Sequence, residues 1–318
     1  MGEFDLIRRF FAPLSQRRGH PDLLLAIGDD CAIERVPHDR DLVFSIDTQI
    51  EGVHFPHHYA PRRIAGRALA AATSDLAAMG ATPVCFTLAL TLPQAESTWL
   101  SEFAKGLAET ANRFELALAG GDTTRGPLSI TIQVHGTVAR DRALRRSGAR
   151  PGDIVAVSGT LGDAGAALDY LDVPSPGPLE DALLARYHYP APRLELGQAL
   201  AGVASSAIDI SDGLTSDLGH ILEASGVGAS IDLDRIPLSG ALKQLKGANA
   251  VQLALHAGDD YELCVTIPRQ RWQDLPGSVR DQLTAIGCIE EGAGLRLSDG
   301  NGREDGASQG YDHFGKDL

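Results

Sequence analysis

Phe44-Ser45-Ile46-Asp47-Thr48-Gln49-Ile50-Glu51-Gly52-Val53-His54-Phe55 decides how this chain is read. The apolar run Leu42-Val43-Phe44-Ser45-Ile46 predicts a strand. It ends on a carboxylate, Asp47, and two more ionisable groups follow, Glu51 and His54. A strand that delivers charge from an apolar run reads as a site rather than a surface. Five further aspartates lie beside apolar segments in the same manner: Asp30, Asp75, Asp122, Asp209 and Asp212. If they converge, a positive group must join them, because unpaired carboxylates near an apolar interior are costly.

Around that strand the pattern is α/β. A short helix is expected from Phe4 to Phe11, stopped by Pro13, and then a strand over Leu23 to Ile27 that runs into Gly28-Asp29-Asp30. Pro61 suits the first turn of a helix, and Ile64, Ala68, Leu69, Ala72, Leu76 and Met79 recur at helical spacing until Gly80, with Asp75 inside. Pro83 to Leu92 reads as a long strand and Ser97 to Phe114 as a helix capped by Ser97. Leu116 to Ala119 reads as a short strand turning at Gly120-Gly121, and Ser129 to Ala139 as another strand. The first domain, residues 1–140, is thus a mixed sheet with helices on one face.

The basic segment Arg140 to Gly152 is the expected linker, and a second α/β domain follows over residues 150–318. Its expected strands are Asp153 to Gly159, Ser206 to Ile210, Tyr261 to Ile267 and Leu283 to Ile289. Its expected helices are Leu161 to Leu171, Leu179 to Tyr187 and Leu214 to Ala224.

Composition bounds the function. At 318 residues, 43% hydrophobic and 22% charged, the chain suits two globular domains. Its formal net charge of −14 repels nucleic acid and anionic membranes, and Arg62-Arg63 and Arg145-Arg146 are pairs rather than a basic stripe. An acidic protein that handles phosphate needs divalent cations to reverse the field locally. The four cysteines are scattered with no Cys-x-x-Cys, which predicts a reduced, cytoplasmic protein. The acidic opening Met1-Gly2-Glu3-Phe4-Asp5 predicts no secretory leader, and no apolar run is long enough to span a bilayer.

Taken one at a time, each aspartate beside glycine is more often a turn former than a ligand. Taken as a set they favour magnesium, a hard cation that binds carboxylates and keeps water or phosphate as its other ligands. Gly120-Gly121-Asp122-Thr123 offers backbone N–H groups to a phosphate, although a double glycine is more often a tight turn. Neither a P-loop nor a Gly-x-Gly-x-x-Gly fingerprint is present. Arg146 serves either a phosphate or solvent. On the residues alone His54, the Asp259-Asp260-Tyr261-Glu262 turn and Tyr311 have ordinary structural readings.

Read together, several blocks resemble the thiamine-monophosphate kinase family, within the superfamily that includes aminoimidazole ribonucleotide synthetase and selenophosphate synthetase. They are Gly28-Asp29-Asp30-Cys31-Ala32, Ser45-Ile46-Asp47 with Glu51 to Phe55, Ser74 to Ala81, Gly120 to Thr124, Arg146 to Asp153, Asp209 to Leu214 and Gly258 to Leu263. The resemblance implies an N-terminal domain that pairs with its twin in a homodimer, ATP as co-substrate and several magnesium ions. It places Asp30, Ser45, Ile46 through its carbonyl, Asp47, Asp75, Asp122, Asp209 and Asp212 at metal sites. Gly121, Asp122, Arg146 and Ser211 would hold ATP, while His54, Asp259, Asp260 and Tyr311 would face thiamine phosphate. Asp259 stands where the family usually carries glutamate.

The activity so implied is transfer of the ATP γ-phosphate to thiamine monophosphate, giving thiamine diphosphate and ADP. No covalent nucleophile is required, because the acceptor's own phosphate oxygen attacks. The competing readings are another ATP-dependent enzyme of the superfamily, such as aminoimidazole ribonucleotide synthetase, and a binding module without turnover.

Overall fold

The Asp47 run forms β3, Arg40–Ile50, in a computed structural model that describes residues 2–17, 19–299 and 302–306. Tyr311 lies outside the described residues. Ahead of β3, the short strands β1 (Leu23–Leu25) and β2 (Ile33–Glu34) pair antiparallel. After it come β4 (Thr82–Leu92), β5 (Ala117–Arg125) and β6 (Ser129–Ala139). The resulting four-stranded sheet runs β3-β6-β4-β5, with β4 and β5 parallel.

Side chains alternate between the two faces of this sheet. Ser45, Asp47 and Gln49 pair with Val134, Ile132 and Ile130, all three of which are fully buried. Leu76, from the helix Pro61–Ala78, reaches the same face at Gly136. Phe44, Ile46 and Thr48 pair instead with His135, Gln133 and Thr131 on the opposite face. There β3 leaves large apolar groups in solvent: Leu42, Phe44, Ile46 and Ile50 are 40%, 61%, 65% and 41% exposed. The mixed sheet is therefore packed on one face and apolar yet open along its β3 edge.

Four local expectations change. Asp47 lies inside β3 rather than at its end, because pairing to β6 continues through Thr48↔Thr131 to Ile50↔Ser129. Gly120-Gly121 is strand, not turn: β5 runs through both to Arg125. The reason is close approach to β4, since a Cβ on Gly121 would stand 1.9 Å from the Leu88 carbonyl oxygen. Ser97 is the first helical residue of Ser97–Arg113, and the extended Glu96 holds the cap position without a side-chain bond. At the N-terminus the helical run Glu3–Leu6 passes through a π-helical stretch, Ile7–Phe11, into Ala12–Arg17. Pro13 does not stop the run: it directly follows the π-helical stretch, whose wide turn is closed by the Ala12 N–H on the Ile7 carbonyl.

The second sheet contains β7 (Ile154–Ser158), β8 (Ser206–Ile210), β9 (Gly228–Asp232), β10 (Glu262–Ile267), β11 (Leu283–Glu290), β12 (Gly294–Asp299) and β13 (Gly302–Gly306). Its order is β13-β12-β9-β11-β7-β10-β8. Both faces are covered. Val155, Val157, Ile208, Ile210 and Cys264 pack into one core with the helix Leu214–Ser225, while Ala156, Ala207, Leu263, Val265 and Ile267 enter another with Leu196 and Leu200. Because β8 and β10 are buried along their whole length, the charged residues they carry must be paired inside.

The described residues divide into two compact units, within Met1–Leu76 and Ala81–Arg142 for the first and within Ala77–Gly80 and Ala143–Leu318 for the second. The segment Arg140 to Gly152 is no loose tether, because Leu144 and Ala149 are buried in the second unit and the Arg145 carbonyl accepts the Ala207 N–H.

Candidate active site

In the first unit β3 and the Pro61–Ala78 helix bring Ser45, Asp47 and Asp75 together. Ser45 Oγ donates to Asp75 Oδ2 at 2.5 Å. Burial pushes the Asp47 carboxyl above its usual range, the Asp75 charge adds to this, and the Thr48 N–H, His54 and Gln49 only partly oppose it. Two like charges lie close together, both partly buried, an arrangement that fits a hard divalent cation held through oxygen. His54 closes the turn after β3: its own N–H donates to the Ile50 carbonyl, and its Nδ1 accepts the Ile50 N–H at 3.1 Å. With Nδ1 as the acceptor, the ring presents its N–H at Nε2.

Other members of the predicted set stand apart from that pocket in the first unit. Pairing aligns Asp47 with Ile132, Leu88 and Gly121, so Asp122 belongs with Ala89, Thr131 and Thr48 on the opposite face. Asp122 is also three strands from β3, on the order of 14 Å away. Ile46 shares the Asp122 face and is exposed. Asp30 lies exposed in the turn between β1 and β2, where its N–H donates to Asp29 Oδ1.

In the second unit the end of β8 and the start of β10 are neighbours, with Asp209 opposite Leu263 and Ile210 opposite Glu262. The Ser211 carbonyl accepts the Asp259 N–H at 2.9 Å, and Gly258 permits the approach, since a Cβ there would stand 2.1 Å from that oxygen. Asp259 and Tyr261 both hold left-handed backbone, φ 67° and 51°, and the Tyr261 hydroxyl donates to Asp259 Oδ1. Such strain persists only where the surroundings enforce it. The structure separates the two neighbouring aspartates: Asp259 is half-buried, whereas Asp260 is 3% exposed and its Oδ2 accepts the Gly162 N–H. Arg146 is exposed beside the start of β8, its carbonyl held by Ser225 Oγ, while Ser211 follows the strand's end. The five-residue strand keeps them roughly 15 Å apart.

Asp217, which the sequence reading passed over, and Glu262, which it placed in a turn but which opens the buried strand β10, organise this end of the second unit. Asp217 Oδ2 accepts the N–H groups of Ser211 and Asp212 at 2.9 and 3.0 Å, so it shapes the loop that carries both. An aspartate in the first turn of the Leu214–Ser225 helix was the available signal. Glu262 is fully buried, bonded to Arg186, Arg193 and Ser158, and no local pattern announces those partners.

Burial, with the Asp209 and Asp212 charges adding, pushes Asp217 up to about 7 against the two N–H bonds. The folded state thus holds this proton more tightly than the unfolded chain does. Metal-free protein is expected to lose stability as pH rises from 3.8 through about 7, at up to ~1.4 kcal/mol per unit. Urea unfolding midpoints across that range check this, and Asp217→Asn should flatten the slope. An unchanged slope would contradict it.

Residues 28–138 match the family model described as AIR synthase related protein, N-terminal domain, and residues 150–299 match its C-terminal domain. The thiamine-monophosphate kinase of Salmonella typhimurium is 44% identical over 322 residues, covering 98% of this chain and 98% of that protein. Among solved structures, the thiamine-monophosphate kinase from Stenotrophomonas maltophilia K279a superposes with a TM-score of 0.85 at 42% identity, covering 94% of this chain and 97% of that one. AaThiL complexed with AMPPCP and TMP superposes with a TM-score of 0.78 at 31% identity, covering 98% and 97%.

Proposed function

Because this chain belongs to the thiamine-monophosphate kinase family, we propose how its carboxylates serve the transfer that defines that family. The chain is a phosphotransferase: it moves the γ-phosphate of ATP to thiamine monophosphate, yielding thiamine diphosphate and ADP. The observation that carries the reading is the Ser45-Asp47-Asp75 cluster, two neighbouring carboxylates whose mutual repulsion a divalent cation would relieve.

Magnesium ions held by Ser45, Asp47 and Asp75 would neutralise the charge of the meeting phosphates, and Asp30, Asp122, the Ile46 carbonyl, Asp209 and Asp212 are assigned to further metal positions. The remaining work falls to the chain's own groups. His54, whose ring is set by the Ile50 N–H on Nδ1, is assigned to the acceptor phosphate. Asp259, half-buried on strained backbone, takes the place toward thiamine phosphate, whereas Asp260 fixes the Gly162 turn from inside. Gly121, Arg146 and Ser211 are assigned to ATP, with Asp217 holding Ser211 in place. The attacking group is the acceptor's phosphate oxygen, so no protein nucleophile is needed.

The homodimer belongs to the same proposal. Its support is the open row Leu42, Phe44, Ile46 and Ile50, an apolar stripe along an edge strand that a second copy would cover. Covering this face would also enclose the face that carries Asp122. The wild type is expected to have the mass of two chains by light scattering, and the double variant Phe44→Glu, Ile46→Lys the mass of one, with helix content retained. A monomeric wild type would refute the pairing. No helix among the described residues is long and apolar enough to cross a membrane. The cysteines are free, which supports a cytoplasmic setting.

The discriminating assay follows ADP release with thiamine monophosphate, thiamine or no acceptor. Stimulation by thiamine monophosphate alone is expected. Equal release without acceptor, or stimulation only by a ribonucleotide substrate of the related synthetases, would overturn the reading.

A further inference from the structure

Glu34, Cys85 and His135 meet in the first unit, away from the Ser45-Asp47-Asp75 pocket. Register places Cys85 directly across from His135 on β4 and β6, in the face opposite Asp47. The β1–β2 ribbon, packed through Leu23 on Val84, Cys85, Ala117 and Ala119, brings Glu34 to them. Glu34 Oε2 lies 2.6 Å from His135 Nδ1 and 3.8 Å from Cys85 Sγ. One donor atom from each residue falls within 4.8 Å of the others.

The chemistry of the trio exceeds what a simple ion pair requires. Cys85 is 2% exposed, and the His135 and Glu34 side chains are 23% and 13% exposed. Glu34 Oε1 is buried and has no hydrogen-bond partner among the described residues. A sulfur, an imidazole nitrogen and a carboxylate oxygen form a donor set suited to a borderline cation and poorly suited to magnesium. Gln133 Nε2 donates to His135 Nε2 at 3.1 Å, which orients the ring with its proton on Nδ1, toward Glu34 Oε2.

We propose that Glu34, Cys85 and His135 form a site for a borderline divalent cation such as Zn2+, which ties β2 to the β4–β6 pair. Three protein ligands leave a fourth position for water. Binding forms one bond each to Sγ, Nδ1 and a Glu34 oxygen; the Cys85 thiol proton leaves to solvent, and the His135 Nδ1 proton moves to Nε2, where the Gln133 amide turns its oxygen to accept it. Without the metal Cys85 is a poor nucleophile, since burial and then the Glu34 charge push its thiol up to about 12. That argues against a reactive cysteine here.

The test uses the full chain, stripped of transition metals and kept in excess Mg2+ so that the hard carboxylate sites are filled. Titrated Co2+ should produce a thiolate-to-cobalt charge-transfer band that saturates at one equivalent per chain and disappears when Zn2+ is added. Cys85→Ser should abolish the band. Glu34→Gln, whose side chain keeps its size and a carbonyl oxygen, should fold and weaken Co2+ binding by roughly tenfold or more. If Cys85→Ser fails to fold, Glu34→Gln alone decides. Absence of a saturating band in the wild type would overturn the site. So would a band that survives Cys85→Ser, or unchanged affinity in Glu34→Gln.

Discussion

Asp47→Asn lowers turnover with thiamine monophosphate by roughly 10³-fold or more while leaving the fold intact. Several kcal/mol of charge stabilisation at a metal-assisted phosphoryl transfer corresponds to a loss of about that size. The structure predicts an opposite effect on stability. Asp47 is held above its usual range by burial and by Asp75, so removing its charge relieves the pocket and metal-free protein should unfold at the same or a higher urea concentration. Activity and unfolding measured on one preparation separate catalytic loss from misfolding. Turnover within about tenfold of wild type at limiting Mg2+ would remove Asp47 from the metal site.

Glu262→Gln has the largest expected effect on stability, about 3–5 kcal/mol, seen as a lower urea midpoint. The carboxylate is fully buried, and Arg186 and Arg193, 25% and 30% exposed, converge on it. Burial alone would raise Glu262, yet the Arg193 hydrogen bond and charge, then Arg186 and Ser158, outweigh it and hold the carboxyl below its usual range. Its contribution is present above 4.5 and lost as pH falls, opposite in sign to Asp217. Replacing it strands two partly buried guanidinium groups beside a fully buried strand. A midpoint within experimental error of wild type would show that the cluster is not a stabilising centre.

Much of this fold was legible because strands and helices announce themselves by period. β6, Ser129–Ala139, and β8, Ser206–Ile210, fall where apolar alternation and bounding polar residues put them. The Pro61–Ala78 helix follows its helical spacing to within a residue or two. Failures arose where tertiary contact overrules local chemistry. Gly120-Gly121 looks like a turn until β4 lies against it, and β9, Gly228–Asp232, opens on glycine and carries a single branched apolar residue, Ile231, to mark it. β12, Gly294–Asp299, is likewise hidden in a glycine-rich tail.

The site was legible as a set of aspartates but not as a geometry. Sequence alone cannot say that Asp75 meets Ser45 and Asp47 across 30 residues, or that Asp122 belongs to the opposite face of the sheet. Nor can it separate Asp259 from Asp260, whose different burial follows from the left-handed backbone at Asp259 and Tyr261. The partners of Glu262, Ser158, Arg186 and Arg193, lie 104, 76 and 69 residues away, beyond any local pattern.

The most direct test supplies ATP labelled at its γ-phosphate together with thiamine monophosphate, then separates the products with and without a magnesium chelator. Label should appear in thiamine diphosphate, mole for mole with ADP, and vanish when the chelator is present. Label released as inorganic phosphate, or thiamine diphosphate formed at the same rate in chelator, would contradict the account.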